Sequence, residues 1–506
     1  MLAGAAATGF LTLAAPGRAA PVGVRLEAGR PFSFVGLVAR AKALAQRAYQ
    51  PPPASDPALS RIDFDTYGQI NFDPRLTLWG GLDEPAVRLF PLGGYFKTPV
   101  QIHLVDQGVA RRVVYEPRLF LTPSDHPFRR LNGAGGFAGF RVMNQNGDGD
   151  WLAFLGASYF RAAGPFNQYG ASARAIALNS GGPAREEFPR FTEFWLERAP
   201  GSDLISHALL DGPSVSGAFR FENRRGASGV IQTVEAALFF RQPVETLGLA
   251  PLTSMFWYGE NDPPEHRDWR PEIHDSDGLA ISAGDGERIW RPLSNPPRVT
   301  TNAFQDHDPK GFGLSQRDRL FDHYQDDGAF YDKRPSIWIE PTTPFGAGSI
   351  RLVELPSSGE TDDDIVAFWT PSQGVEAGMA LSLSYRIHWI DQEPRPADLA
   401  KVVATRVGVG GRPGQAPRPG FRRIDIDFEG PALRGLTRTS GVEAVVTASG
   451  GRQIDQVAAY PVVGTTLWRV LFDVSVDQGS TDVRAYLRRG DTALSETWLY
   501  QLFPEK

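Results

Sequence analysis

The feature that most constrains the fold is a recurrence of short runs in which apolar and polar residues alternate. Residues 99–117, PVQIHLVDQGVARRVVYEP, alternate in this way on both sides of Asp106-Gln107-Gly108. A period of two is typical of a strand with one buried face, and a glycine turn between two such runs predicts a hairpin. Further runs occupy residues 137–142, 151–160, 194–197, 206–210, 216–222 and 230–240. The chain is therefore predicted to be all-β, with a large antiparallel sandwich.

The composition fits this class. The 506 residues include 54 Gly, 41 Pro, 32 Phe and 11 Trp, which suits many strands joined by turns in two or three domains. There is no cysteine, so disulfides, thiolate nucleophiles and cysteine-bound zinc are excluded. The net charge of -6 argues against nucleic acid or an anionic membrane as the main partner. Neutral polymers remain as candidate ligands.

The N-terminal region is predicted to contain a targeting signal and one helix. Residues 2–15 are uncharged and mostly apolar, too short to span a bilayer, and precede Gly17-Arg18-Ala19, a small-x-small site. Residues 1–20 thus look like the apolar and cleavage regions of a secretory signal whose positive region was lost upstream, or form a disordered segment. Residues 34–49 have helical apolar spacing, and Pro51-Pro52-Pro53 follows them.

A domain boundary is predicted near residue 395. Residues 391–396 and 407–420 are rich in Gly, Pro and Arg, the composition of linkers and long loops. Beyond them, residues 424–429 and 469–477 alternate as strands do. The prediction is a large β-sandwich over residues 21–392 and a small immunoglobulin-like sandwich over residues 398–506.

Residues 352–369, LVELPSSGETDDDIVAFW, begin and end as strands and break in the middle. Glu360, Asp362, Asp363 and Asp364 crowd within five positions of that break. Such carboxyl groups either face bulk water in an ordinary acidic turn or raise one another's pKa, which keeps one of them protonated as an acid.

A second acidic segment, residues 270–278, places Asp275 and Asp277 just before a predicted strand. Trp257, Tyr258, Trp269 and Trp290 lie nearby in the sequence. Aromatic faces stack on the C–H surfaces of sugar rings, so an acidic loop among them fits a carbohydrate cleft. A structural turn that caps the strand is an equally good interpretation.

Other catalytic signatures are weak or missing. The eight histidines form no HExxH pattern, and no Gly-x-Ser-x-Gly elbow occurs. The segments GFGLSQR (311–317) and YDKRPS (331–336) could place Arg317, Tyr331 and Arg334 in the same cleft, or could be ordinary turns. No metal and no cofactor are expected.

Several long blocks resemble the periplasmic glucans biosynthesis proteins, types G and D. The blocks are GFAGFRV (136–142), LGASYFR (155–161), EEFPRFTEFWLE (186–197), LAPLTSMF (249–256), RPEIHDSDGL (270–279), IWRPL (289–293), GFGLSQR, RPSIWIEP (334–341), the acidic segment with IVAFW, and LSETWLYQL (494–502). The resemblance runs from about residue 62 to the C-terminus. It implies a periplasmic protein with a supersandwich of the galactose-mutarotase-like kind, an immunoglobulin-like domain, and anomer-inverting hydrolysis or transglycosylation of β-1,2-glucan.

The resemblance also implies residue roles. Asp363 matches the family's general acid, Asp275 its general base, and Tyr331 a tyrosine of its proton relay. Family members commonly have Asn where this chain has Asp277, Asp362 and Asp364, and the added charge could raise the pKa of Asp363 or supply a decoy carboxylate. The residues predicted to contact substrate are Trp257, Tyr258, Trp290, Arg317, Arg334, Glu360 and Trp369.

The predicted ligand is a β-1,2-glucan chain. Three functions stay open on the sequence: a hydrolase, a transglycosylase on the same glucan, and a non-catalytic glucan-binding scaffold beside a membrane glucan synthase. That synthase and a second copy of the chain in a homodimer are the candidate protein partners.

Overall fold

The structure of the chain is a computed structural model that describes residues 23–504 apart from 82–83, 132–134, 201–202, 264–267, 395–397, 413 and 478. The signal-like segment predicted at residues 1–20 lies outside the described residues, as does part of the predicted linker, at 395–397. Nearly all regular structure in the described chain is strand, which confirms the all-β prediction.

The largest sheet, called here the first sheet, contains 16 strands among the described residues. Most neighbours are antiparallel, and the two parallel exceptions join strands that are distant in sequence. In spatial order the strands are Arg30–Pro31, Val109–Arg112, Gln101–Asp106, Arg190–Arg198, Leu204–Asp211, Val215–Gly226, Gly229–Phe240, Ala380–Ile390, Ser336–Pro341, Gly311–Ser315, Gly278–Ser282, Arg288–Pro292, Thr497–Leu502, Thr481–Arg489 and Glu443–Ala448, with Thr492–Ala493 beside Thr481–Arg489.

The second sheet faces the first and contains 11 strands in the described part of the chain. In order they are Thr300–His307, Ala347–Glu354, Ile365–Pro371, Leu247–Ser254, Ser172–Arg174, Tyr159–Ala162, Asp150–Leu155, Phe137–Met143, Ala86–Pro91 and Leu78–Trp79, with Ala177–Leu178 beside Leu247–Ser254. The run at 151–160, predicted as continuous, is two strands because the chain turns at Gly156 and Ala157, both with positive φ.

Phenylalanine fills the space between the two sheets. Phe154 of the second sheet stacks on Phe140 with ring centroids 4.9 Å apart. It also meets Phe194 and Phe221 of the first sheet edge-on, at 5.6 and 5.1 Å. All four rings are at most 2% exposed, and one continuous core contains residues of both sheets. Burial of this apolar surface holds the layers together, which confirms the predicted sandwich.

Helices are short and peripheral. The longest, Phe34–Ala45, starts at Ser33, whose hydroxyl accepts the Gly36 amide at 3.1 Å. It packs its Leu37–Ala41 face on the outer side of the first sheet and ends four residues before the predicted limit. The other short helices are Phe64–Tyr67 and Phe321–Tyr324, and the 3₁₀ turns are Pro57–Arg61, Pro74–Leu76, Pro117–Leu119, Pro127–Arg130, Tyr331–Lys333, Pro431–Leu433 and Ser449–Gly451.

The C-terminal region adds a four-stranded sheet and shares the end of the first sheet. The four strands are Lys401–Val409, Phe421–Glu429, Trp468–Ser475 and Ile454–Pro461. They enclose a second core with the last strands of the first sheet, and Trp290 and Trp338 of the large sandwich belong to that core. The two-layer packing agrees with a sandwich, whereas the immunoglobulin-like topology stays a prediction.

Two short strand pairs complete the fold, Asn71–Phe72 with Phe120–Leu121 and Phe256–Tyr258 with Ile273–His274. The second pair is important for function because it connects the predicted acid and base segments. It leads directly into Asp275, and its first residue, Phe256, contacts the acidic loop.

Candidate active site

The acidic segment forms a loop, residues 355–364, between two antiparallel strands of the second sheet. These strands are Ala347–Glu354 and Ile365–Pro371. At the base of the loop, the amide of Leu355 donates to the carbonyl of Asp364 at 2.9 Å. The strand–loop–strand organisation predicted from the sequence is confirmed, and the loop is held at both ends.

The three consecutive aspartates of this loop have different environments. Asp364 is 2% exposed and accepts the Phe256 amide at 2.9 Å, and burial raises its pKa to about 7. Asp362 is exposed and accepts the Ser357 hydroxyl at 3.3 Å. Asp363, between them, lines a cavity of about 400 Å³. Of the three carboxyl groups, that of Asp363 thus lines a cavity that a substrate can occupy.

The pKa of Asp363 is raised above its ordinary value. Solvent reaches the carboxyl group, yet the concave walls displace much of the surrounding water, and this desolvation is the largest cause of the shift. The charge of Asp362 raises the pKa further, and Arg174 and Arg161 oppose the shift. A carboxyl group in this environment keeps its proton to a higher pH than a surface aspartate does.

The cavity at Asp363 continues into a neighbouring one of about 190 Å³, and the two share the walls formed by Tyr95, Phe96 and Tyr159. We call this continuous groove the cleft. Tyr95 is 84% exposed, and Phe188 on the far wall is 52% exposed. Exposed aromatic rings on the walls of a concave groove can provide stacking platforms for sugar rings.

Asp275 lies in the turn after Ile273–His274 and is 7% exposed. Its carboxylate forms an ion pair with the guanidinium of Arg334. That guanidinium also lies over the Tyr331 ring, 4.1 Å from the centroid. Burial lowers the pKa of Arg334 to about 10, so it stays charged at neutral pH. An adjacent cation favours the ionised form of a carboxyl group.

A chain of contacts links Asp275 to the acidic loop. The Tyr331 hydroxyl donates to Glu360 at 2.7 Å. Arg270 donates to the same Glu360 oxygen at 2.7 Å and also pairs with Asp268 and Asp326, each at 2.9 Å. The Arg270 bond is the main reason why the pKa of Glu360 is lowered. Glu360 is thus a charged anchor for the loop that carries Asp363.

The charge of Arg161 affects the surroundings of both aspartates. It lines the cleft beside Asp363 and lowers the pKa of that residue. Its charge also lowers the pKa of Arg334, the partner of Asp275. These contacts place Asp363, Tyr331, Arg334, Glu360 and Asp275 in one region, where Asp363 lines the cleft and Asp275 pairs with Arg334.

None of the seven predicted substrate contacts, Arg334 and Glu360 included, lines the cleft. Trp369 is 0% exposed in the main core, and Tyr258 is 1% exposed with its hydroxyl donating to the Arg270 carbonyl at 3.1 Å. Trp290 is 3% exposed beneath Arg317, whose guanidinium lies 3.7 Å from the ring centroid. Trp257 lines a separate cavity.

The contacts of Arg317 are ion pairs that join two parts of the fold. It pairs with Glu496 at 2.6 Å and Glu393 at 2.8 Å, which joins the large sandwich to the C-terminal region. Asp277 supports the same segment, because its carboxylate accepts the amides of Arg317 and Asp318 at 2.5 and 2.7 Å. The Asp277 carboxylate thus holds the segment after Gly311–Ser315 and does not cap its own strand, Gly278–Ser282, while the Asp275 carboxylate pairs with Arg334.

Beside this segment, Glu272, Asp318 and His323 place their ligand atoms within 4.8 Å of one another, which is close enough to hold a metal ion. The pattern search found no metal signature here because Glu272 lies more than 40 positions from Asp318 and His323 in the sequence. Glu272 already accepts from His274 at 3.0 Å, and Asp318 pairs with His323. The cluster satisfies its own charges in part through these pairs.

Sequence reasoning missed most of the cleft residues, among them Tyr95, Phe96, Tyr159, Arg161 and Phe188. One signal was available for the first two, since Gly93 and Gly94 have positive φ and form a turn that carries Tyr95 at its tip. A residue at the tip of such a turn is exposed, so its side chain is available to a ligand.

Among the described residues, no helix is long and apolar enough to cross a membrane. A family model described as "Periplasmic glucan biosynthesis protein, MdoG" matches residues 32–502. Glucans biosynthesis protein D 2 of Ralstonia nicotianae is 46% identical over 500 residues, covering 95% of this chain and 92% of the relative. Glucans biosynthesis protein D of Stenotrophomonas maltophilia is 43% identical over 506 residues, covering 98% and 94%. The resemblance stated from the sequence and the periplasmic localisation are confirmed: the chain belongs to the family of periplasmic glucan biosynthesis proteins.

Proposed function

We propose that this protein is an anomer-inverting glycoside hydrolase that acts on β-1,2-glucan, with Asp363 as general acid and Asp275 as general base. The observation that carries the proposal is the position of Asp363, an acid with a raised pKa on the wall of an aromatic cleft. The family and the names of the relatives supply the substrate class.

The acid step uses the environment of Asp363 directly. A glucan chain lies along the cleft with its rings on Tyr95 and Phe188, and one glycosidic oxygen lies against Asp363. Asp363 donates its proton to that oxygen as the bond breaks. A raised pKa supports this role because only the protonated carboxyl group can donate.

The base step falls to Asp275 in its ionised form, which the ion pair with Arg334 favours. In an inverting mechanism a water attacks the anomeric carbon from the face opposite the leaving group, and the two carboxyl groups are typically about 6.5–9.5 Å apart. Asp275 is 7% exposed and does not line the cleft, so the proposal passes the proton of the water to Asp275 through a relay. Tyr331 and a substrate hydroxyl are the groups proposed for that relay, which the ion pair of Asp275 with Arg334, whose guanidinium lies over the Tyr331 ring, supports.

A transglycosylase is the second candidate, and the length of the cleft favours it. The groove extends beyond Asp363 past Tyr95 to Phe188, so a second glucan chain can replace water as the acceptor. The same acid and base serve both reactions.

Product analysis tests these functions. The mature protein is incubated with linear β-1,2-glucan, and the products are separated by size while the anomeric configuration of new ends is followed by NMR. Shorter chains with an inverted anomer support the hydrolase, and longer or cyclic products support transfer. Glucan that binds but stays intact would refute both and leave a binding scaffold.

A further inference from the structure

A second cavity of about 720 Å³ lies at the junction of the large sandwich and the C-terminal region. We call it the junction cavity. One wall is the base of the acidic loop at Ser357, another is the segment from Trp257 to Pro263, and a third is the chain end at Phe503. It shares no lining residue with the cleft. Its size falls in the range of about 300–1,000 Å³ that is usual for small-molecule sites.

The lining of the junction cavity suits an uncharged polar ligand. Its charged residues are one acid, Asp262, and one base, Arg422, so their formal charges cancel. Trp257 and Phe503 add aromatic surface. Aromatic rings beside a carboxylate and a guanidinium match the C–H faces and hydroxyl edges of a pyranose. A nucleotide or another anion would need a net positive lining.

The junction cavity is also connected to the acidic loop. Asn295 accepts the Ser357 amide at 2.9 Å and donates to the Ser357 carbonyl at 2.9 Å and to the Trp257 carbonyl at 3.1 Å. Its own amide donates to Asp262 at 2.8 Å. The Ser357 hydroxyl then donates to Asp362, next to the predicted acid. A ligand in the cavity thus touches the residues that fix the base of the loop.

We infer that the junction cavity is a second binding site for a neutral glucan segment, separate from the cleft and held mainly by Trp257. The inference rests on the proposed function for the identity of the sugar. It assigns Trp257, which the sequence predicts as a substrate contact, to a site other than the one that contains Asp363.

The test is a calorimetric titration of the full chain carrying Asp363→Asn with β-1,2-linked glucotriose, which is too short to fill both sites at once. We expect two binding events per chain. Adding Trp257→Ala should remove or weaken one of them by at least about tenfold. Adding Tyr95→Ala should affect the other event only, because Tyr95 lines the cleft.

Phe503→Ala provides a second variant on the opposite wall, beyond the last strand, if Trp257→Ala does not fold. One binding event that Trp257→Ala and Phe503→Ala leave unchanged would overturn the second site and leave the proposed function intact. Absence of glucotriose binding to any variant, together with unprocessed glucan, would instead overturn the proposed function itself.

Discussion

The two carboxyl groups of the candidate site differ in what surrounds them. Asp363 is exposed on the cleft wall, and the described chain gives it no ion pair. Asp275 is 7% exposed and is paired with Arg334. An aspartate side chain is thereby favoured as a proton donor at position 363 and as an ionised proton acceptor at position 275. Environment, rather than residue type, distinguishes an acid from a base.

The largest expected effect is on the Asp363 side of this comparison. Asp363→Asn removes the proton donor, so turnover of linear β-1,2-glucan should fall by about 10²- to 10⁴-fold. Glucan binding should persist because the aromatic walls are intact. Asp362→Asn, an exposed neighbour on the same loop, is the matched control and should retain most of the activity. An Asp363→Asn variant that retains activity would refute the assignment of Asp363 as the general acid.

On the other side, Asp275→Asn should reduce both turnover and stability. It leaves the Arg334 guanidinium partly buried without its carboxylate, and breaking one half of a buried pair costs about 3–5 kcal/mol. Both partners retain some solvent contact, so we expect about 2 kcal/mol, measured as the change in the free energy of unfolding in urea. Asp363→Asn should unfold like the unmodified chain. Equal stabilities for the two variants would contradict the ion pair as the feature that distinguishes Asp275 from Asp363.

Tyr331→Phe tests the connection between the two sides. It deletes the hydroxyl that donates to Glu360 but keeps the ring beneath Arg334. Turnover should drop by about tenfold, in line with roughly 1.5 kcal/mol for a hydrogen bond to a charged group. Steady-state kinetics should show the loss in kcat rather than KM. A loss confined to KM would assign Tyr331 to substrate binding.

The smallest expected effect is on stability and concerns Asp364, the buried neighbour of Asp363. Its pKa rises from an ordinary value near 3.8 to about 7 on folding, so the folded state binds the proton more tightly than the unfolded chain. Its stabilising contribution is complete below about pH 4 and is lost as the pH rises to about 7. Asp364→Asn should match the unmodified chain at pH 4 and exceed its stability by about 1–2 kcal/mol at pH 8. This is less than the value of about 4 kcal/mol that the full shift represents, because the exposed loop can admit water when Asp364 ionises. Thermal unfolding at the two pH values checks this, and a constant difference would contradict it.

Local patterns were sufficient where a segment's structure depends on its own residues. The strands on both sides of the acidic loop, the turn at Gln107 and Gly108, and the helix from Phe34 all form as predicted. Each depends on alternation, glycine conformation or helical spacing, which neighbouring residues determine. The helix was predicted to reach residue 49, but it ends at Ala45, with Gln46 as its C-cap, before the three prolines.

Patterns could not show which aromatic side chains reach a cleft. Trp369 is fully buried because its strand has the sandwich core on one face and Phe345 beside the ring. Trp290 is buried partly because its strand pairs with Thr497–Leu502, about 200 positions away in the sequence, where Trp290 lies opposite Trp498. Tyr95 is exposed although its neighbour Phe96 is not. These outcomes depend on contacts between distant segments, which a single sequence does not specify.

Thr497–Leu502 lies inside the first sheet, where it pairs in parallel with Arg288–Pro292 on one side and antiparallel with Thr481–Arg489 on the other. During synthesis Arg288–Pro292 has no partner on this side until Thr497–Leu502 has been made. A truncation before Thr497 should therefore damage the large sandwich as well as the C-terminal region. The folding of the two regions is thereby coupled through one shared strand.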